Sequence, residues 1–256
     1  MTEKQKPDGT KELTELTESQ MLERILSNMP DTEEVEIDLP SKNKFYSLLD
    51  PSKGISLRPM TFDDEKALVT NKKGNLEALN TILERCVSNV RVQDLLQVDK
   101  LYLIMKLREL SYGDDYNAEV TCPSCKTDSS IKFILSEFPV TYMEEEITNP
   151  ATIELPVLKK TLKVSFPRVS DEQYFVNAEF AMANLWRFIE EIDGISRKSV
   201  IQKVIPKLPL KDAHTVLDTI STSKYGINTK VRFECVYCSH TENMELPITG
   251  DFFTAA

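Results

Sequence analysis

The sequence predicts an α+β fold, mainly helical, built as two repeated β-α-α-α-β-hairpin halves. Three observations carry this expectation. Eight residues separate Tyr112-Gly113 from Cys122-Pro123-Ser124-Cys125, and eight separate Tyr225-Gly226 from Cys235-Val236-Tyr237-Cys238. Apolar and polar residues alternate on both sides of each Cys-x2-Cys pair, as in Asn117-Ala118-Glu119-Val120-Thr121 and Thr229-Lys230-Val231-Arg232-Phe233-Glu234. Alternation is the strand signal, so each pair belongs at the tip of a β-hairpin. Upstream of each hairpin, a short apolar strand runs into an acidic helix start and then into helical periodicity.

The elements follow in order. Residues 1 to about 12 are polar and charged and are expected to be mobile. Thr17 is suited to cap a helix whose stripe is Leu22, Ile25, Leu26 and Met29, and Pro30 stops it. Val35, Ile37 and Leu39 alternate as a short edge strand. Ile55 to Met60 is a strand, and Thr61-Phe62-Asp63-Asp64-Glu65 begins a helix, its three acids placed where first-turn amides are unpaired. Further helices are expected from about Leu76 to Ser88 and from about Val98 to Ser111. In the latter, Leu101, Ile104, Met105 and Leu107 form the buried stripe and Arg108-Glu109 face solvent. Gly113 supplies the left-handed C-cap. After the first hairpin, residues 141–159 are acidic and read as a linker. Thr161 to Val169 is again a strand and Ser170-Asp171-Glu172 an acidic helix start. A helix through Trp186 and Ile192 follows, then shorter ones near Ser196 to Ile205 and Leu210 to Ser221.

The distance from Glu65 to Cys122 nearly equals that from Glu172 to Cys235, so the order is read as an internal duplication. The expected division is an acidic arm with an amphipathic helix (1–36), a first repeat (37–140), an acidic linker (141–159), a second repeat (160–250) and a tail (251–256). The arm's apolar stripe either packs on its own domain or docks on a partner.

Two thiolates cannot complete a tetrahedral zinc shell, whereas two such tips together supply four. The economical reading is one structural zinc held by Cys122, Cys125, Cys235 and Cys238, with zinc-ribbon-like knuckles joining the halves. His240 is an alternative ligand, and two independent half-sites or metal-free cysteines, reduced or disulfide-bonded, are further readings. A thioredoxin-like redox pair fits less well, because neither Cys-x2-Cys opens a helix after a strand. The fifth cysteine, Cys86, lies within helical periodicity and is expected to be buried.

Composition narrows the function. The chain's 41 acidic and 31 basic side chains give a net charge of −10, which repels phosphate backbones and disfavours direct nucleic-acid binding. No apolar run approaches membrane-spanning length and no leader precedes the charged start, so neither membrane nor secretion is expected. The odd cysteine count suits a reducing compartment. The only histidines are His214, expected on a helix surface, and His240. With no Gly-rich phosphate loop either, no active site or small-molecule substrate is expected. Trp186 is read as a core aromatic, with an interface anchor as the alternative.

The order of Leu39-Pro40-Ser41-Lys42, Ile55-Ser56-Leu57-Arg58-Pro59-Met60-Thr61 with Asp64-Glu65, Asp99 to Tyr112-Gly113, and Cys122-Pro123-Ser124-Cys125 resembles the baseplate hub proteins of T-even-type contractile-tailed bacteriophages over about residues 37–250. The resemblance implies a non-enzymatic structural or assembly protein that binds other baseplate proteins. It acts in the host cytoplasm during assembly, with the virion tail as a second location. The zinc rests on the cysteines and not on the resemblance. The alternative function is a zinc-ribbon adaptor in a transcription or replication complex, and an enzyme comes third.

Overall fold

The computed structural model describes residues 17–27, 33–70, 75–175, 178–220, 225–248 and 250–253. Contacts divide the chain into two units, residues 1–33 and 34–256. In the first unit, helix α1 spans Glu18–Leu26. It begins where Thr17 and Gln20 close a capping box: the Thr17 amide donates to the Gln20 side chain at 2.9 Å and the Gln20 amide to the Thr17 hydroxyl at 3.4 Å. Met21, Leu22, Ile25 and Leu26 are all exposed on it. Residues 1–12, Met29, Pro30 and Ser221 lie outside the described residues.

The second unit is a mixed α/β fold with several small antiparallel sheets, and it corrects the mainly helical architecture expected from sequence. Strands β1 (Val35–Glu36), β2 (Ser56–Leu57) and β3 (Val87–Ser88) form one sheet in that order. Helices α2 (Phe62–Thr70), α3 (Asn75–Cys86) and α4 (Gln97–Tyr112) accompany it. The hairpin β4 (Asp115–Thr121) and β5 (Asp128–Ile134) follows, then β6 (Val140–Thr141). Strands β7 (Ala151–Glu154), β8 (Thr161–Val164) and β9 (Ile189–Ile192) make a second three-stranded sheet, with α5 (Ala178–Asn184) inserted between β8 and β9. Helices α6 (Lys198–Val204) and α7 (Leu210–Ile220) lead to β10 (Gly226–Ile227), which pairs with β6. The chain closes with the hairpin β11 (Lys230–Glu234) and β12 (Thr241–Glu245) and a 3₁₀ turn at Gly250–Phe253.

Helices α2 and α3 lie between β2 and β3 of the first sheet as α5 lies between β8 and β9 of the second, and β3, β7 and β9 are strands that the helical expectation lacked. The physical reason lies in two places. Helical spacing was read through Ile189-Glu190-Glu191-Ile192, but Asp193-Gly194 follows, with φ of 51° and 84°, and folds Ile192 back onto Ile195. An Asp-Gly pair with both φ positive is a hairpin turn, and it converts the preceding residues to strand. In the same way Ala151-Thr152-Ile153-Glu154 alternates and pairs with β8, Glu154 facing Thr161.

Two cores result. The larger gathers α3, α4 and the bases of both hairpins, among them Leu57, Ile82, Leu103, Tyr116, Leu246 and Phe252. The other gathers Leu162, Val164, Phe188, Ile201 and Val216 around the second sheet. Helix α4 is buried on nearly every side, so its polar residues must be partnered internally. Asp99 accepts from the Ser41 amide at 3.0 Å and from the Tyr46 hydroxyl, and Lys100 pairs with Glu172. Burial raises the Asp99 pKa above the usual carboxylate range. Arg108, expected in solvent, is only 6% exposed and stacks 4.4 Å from the Tyr112 ring. Gly226 shows why glycine precedes the second hairpin: its φ is +92°, and a Cβ there would stand 3.2 Å from Val98 Cβ on α4.

Candidate metal centre

Each hairpin places its cysteines through its register. Strands β4 and β5 pair from Asp115↔Ile134 to Thr121↔Asp128, which leaves residues 122–127 as the tip. Strands β11 and β12 pair from Lys230↔Glu245 to Glu234↔Thr241 and leave residues 235–240. The two tips repeat the same backbone hydrogen bonds. In the first, the Cys122 amide donates to the Thr127 carbonyl at 3.0 Å and the Lys126 amide to the Cys122 carbonyl at 2.9 Å. In the second, the Cys235 amide donates to the His240 carbonyl and the Ser239 amide to the Cys235 carbonyl, both at 2.9 Å. Lys126 and Ser239 occupy the same left-handed position, with φ of 59° and 55°.

This geometry brings both sulfurs of each pair, and the two pairs, to one point. The Sγ atoms of Cys122, Cys125, Cys235 and Cys238 all lie within 4.8 Å of one another. Cys122 and Cys238 stand 3.7 Å apart, as do Cys125 and Cys235. A disulfide needs about 2.05 Å, so these contacts are not bonds; four sulfurs at about 2.3 Å from a tetrahedral zinc would be about 3.8 Å apart. Cys122 and Cys235 are buried and pack with Val120 and Phe233, while Cys125 and Cys238 face outward. The donor set and its spacing fit a soft divalent cation.

Electrostatics supports the same chemistry. The Thr127 hydroxyl and amide draw the Cys125 thiol down to about 6. At Cys238 the His240 amide favours the thiolate, but desolvation and the three neighbouring sulfurs push the pKa up to about 11. Four thiolates gathered at one point would repel one another. A bound cation relieves that repulsion and favours the thiolate at every ligand.

Other residues singled out in the sequence lie elsewhere. The His240 ring stands 3.7 Å from Glu242 and is not one of the clustered donors. His214 is exposed on α7, and Cys86 is buried in α3 with its thiol pushed up to about 11 by burial. Trp186 is half-buried beneath the Arg187 guanidinium, 4.6 Å from its ring. Sequence reasoning missed the part played by Thr127, although a hydroxyl two residues past the second cysteine of a hairpin tip was available as a signal.

Two stretches that carried the family resemblance meet in space, since the Ser41 amide of Leu39-Pro40-Ser41-Lys42 binds the Asp99 carboxylate. A family model, described as T4 bacteriophage base plate protein, matches residues 29–254. The chain belongs to this family. Both cysteine pairs of this base plate protein lie within the matched span, and membership carries a structural role in the phage tail base plate. No curated protein and no solved structure matches the chain. Among the described residues, no helix is long and apolar enough to cross a membrane.

Proposed function

We propose that this base plate protein is a structural or assembly component of the baseplate hub, binding other baseplate proteins through a scaffold stabilised by one zinc ion at Cys122, Cys125, Cys235 and Cys238. The observation that carries the metal is the convergence of four sulfurs from two hairpins more than a hundred residues apart in sequence. A closed four-sulfur shell leaves no position for a reactive water, so the ion's role is structural. The net charge of −10 favours protein partners over nucleic acid. Assembly takes place in the host cytoplasm and the protein is carried into the tail.

Elemental analysis of purified wild-type, Cys122→Ser and Cys235→Ser protein tests the metal. One zinc per chain, lost in either variant, supports the shared site. Two ions lost independently, or none, would overturn it. Affinity capture of the tagged chain from infected cells, followed by crosslinking, tests the partners. The wild-type chain should retain baseplate proteins and Cys235→Ser should retain fewer; equal retention would separate partner binding from the metal.

A further inference from the structure

The smaller core carries a surface that the cysteine cluster does not use. An open groove of about 540 Å³ runs between α5, the turn at Leu185–Phe188, α6 and α7. Met182, Leu185, Trp186, Leu208, Leu210 and Leu217 line it, and Met182 and Leu210 are 60% and 69% exposed at its lip. The segment from Arg197 to Lys211, which supplies one wall, contains five basic residues and no acidic one, in a chain of net charge −10. Lys203, Lys207 and Lys211 are exposed along it. Each of these lysines is the chain neighbour of a residue that lines the groove, Gln202, Pro206 or Leu210, and an apolar groove with lysines beside it is complementary to an amphipathic helix with acidic flanks.

The chain itself contains such a helix. None of the residues of α1 is buried, and Met21, Leu22, Ile25 and Leu26 make one apolar face about a turn and a half long. In the sequence, residues 12–33 include six acidic side chains and a single basic one, Arg24. Four large apolar side chains on one short helix form a patch whose cover is favoured by the hydrophobic effect.

We propose that α1 of one copy seats its Met21, Leu22, Ile25 and Leu26 face in the Trp186 groove of a second copy, so that the protein self-associates through its N-terminal helix. The lysines beside the groove select the acidic flanks and its apolar lining supplies the burial. Reciprocal exchange of two helices closes a twofold dimer. The inference rests on the groove and the helix and is independent of the metal.

Trp186 is the only tryptophan in the chain and reports on the contact directly. Sedimentation velocity of the full chain, over a concentration series, is read together with Trp emission. Association should grow with concentration, shift Trp emission to the blue and weaken in high salt. Ile25→Asp should abolish it, and Lys207→Glu should weaken it by roughly threefold to tenfold, as expected for one or two exposed ion pairs. Both positions are exposed, so neither substitution threatens the core. A synthetic peptide of residues 14–30, which has no aromatic residue, should dissociate the wild-type complex and shift the Trp emission of the Ile25→Asp chain. A chain that stays monomeric at every concentration overturns the proposal. So does association that survives Ile25→Asp. A monomer whose emission moves to the red in Ile25→Asp would mean that the groove is filled within one chain, which also overturns self-association.

Discussion

Asp64 illustrates how far a single residue can be read from its neighbours in sequence. Thr61 and the acids after it mark a helix start, and the Thr61 amide and hydroxyl do donate to Asp64 Oδ2 at 2.8 and 2.9 Å. The same carboxylate also binds both Arg58 Nη atoms, at 2.7 and 3.2 Å, and Arg85 Nε. The capping role was legible because it is local; the arginine partners were not, because Arg85 reaches Asp64 only once α3 packs beside α2. Burial acts to raise the Asp64 pKa, but the hydrogen bonds from Arg58, Thr61 and Arg85 outweigh it and hold the carboxyl well below the usual range. Removing this charge leaves two guanidinium groups short of a partner. Asp64→Asn should therefore destabilise by about 2 to 3 kcal/mol at neutral pH, less than for a fully enclosed pair because Arg85 is 38% exposed. A depressed folded pKa adds stability that is complete above the unfolded value of about 3.9 and is lost as pH falls toward the folded one. The gap in denaturant midpoint between wild type and variant should thus hold from about pH 7 to pH 4 and begin to narrow below about pH 4. A gap independent of pH would show that the ionised form contributes nothing. Arg108 was read wrongly for a related reason: helical periodicity assumes a solvent face, and Phe252 and Phe253, far along the chain, belong to the core around α4.

At the scale of elements, hairpins were the most legible part of this sequence. Period-two alternation, a tip of fixed length and paired cysteines all pointed to β4-β5 and β11-β12, and each signal is local. Strand β9 was hidden because Ile189 and Ile192 suit a helix stripe as well as a strand, and only Asp193-Gly194 decides between them. The two Tyr-Gly dipeptides also differ once placed. Gly113 ends α4 with φ +89° in open space, whereas Gly226 opens β10 with φ +92° against Val98. Gly113, with φ 89° and ψ 178°, is not the left-handed cap expected from sequence but lies in a region reserved for glycine, so alanine there meets only backbone strain and should cost about 2 kcal/mol. Alanine at Gly226 adds a contact with the buried α4 backbone and side chain, and should cost about 3 kcal/mol or more. Paired urea titrations of the two variants check the order. If Gly113→Ala proves the more damaging, close packing of β10 on α4 is not what requires glycine there.

For the whole molecule, the sequence suggested two half-domains hinged on a metal, and the packing argues for a different response to losing it. Residues of α4 and β4 interlock with residues that follow the second hairpin. The Tyr112 hydroxyl donates to the Phe253 carbonyl at 2.6 Å, the Tyr116 hydroxyl donates to the Pro247 carbonyl at 2.9 Å, and the Tyr116 and Phe252 rings meet edge to face at 4.8 Å. Strand β10 likewise pairs with β6 beside α4. Such long-range contacts have no periodic signature, so nothing in the sequence could separate a hinge from an interlocked base. They hold the hairpin bases together whether or not the tips carry an ion. At the tips themselves, the sulfur cluster rests on a small apolar group centred on Val120 and Phe233, too little to fix both tips without an ion. Chelation should therefore act locally. In hydrogen exchange, amides at 122–127 and 235–240 should lose protection by at least about tenfold after treatment with a zinc chelator, while those of α4 keep theirs. The thermal midpoint should fall without loss of a cooperative transition, since the core around α4 does not depend on the ion. Parallel loss of protection in α4 and in both tips would instead make the metal the keystone of the entire second unit, and would restore the hinge that the packing argues against.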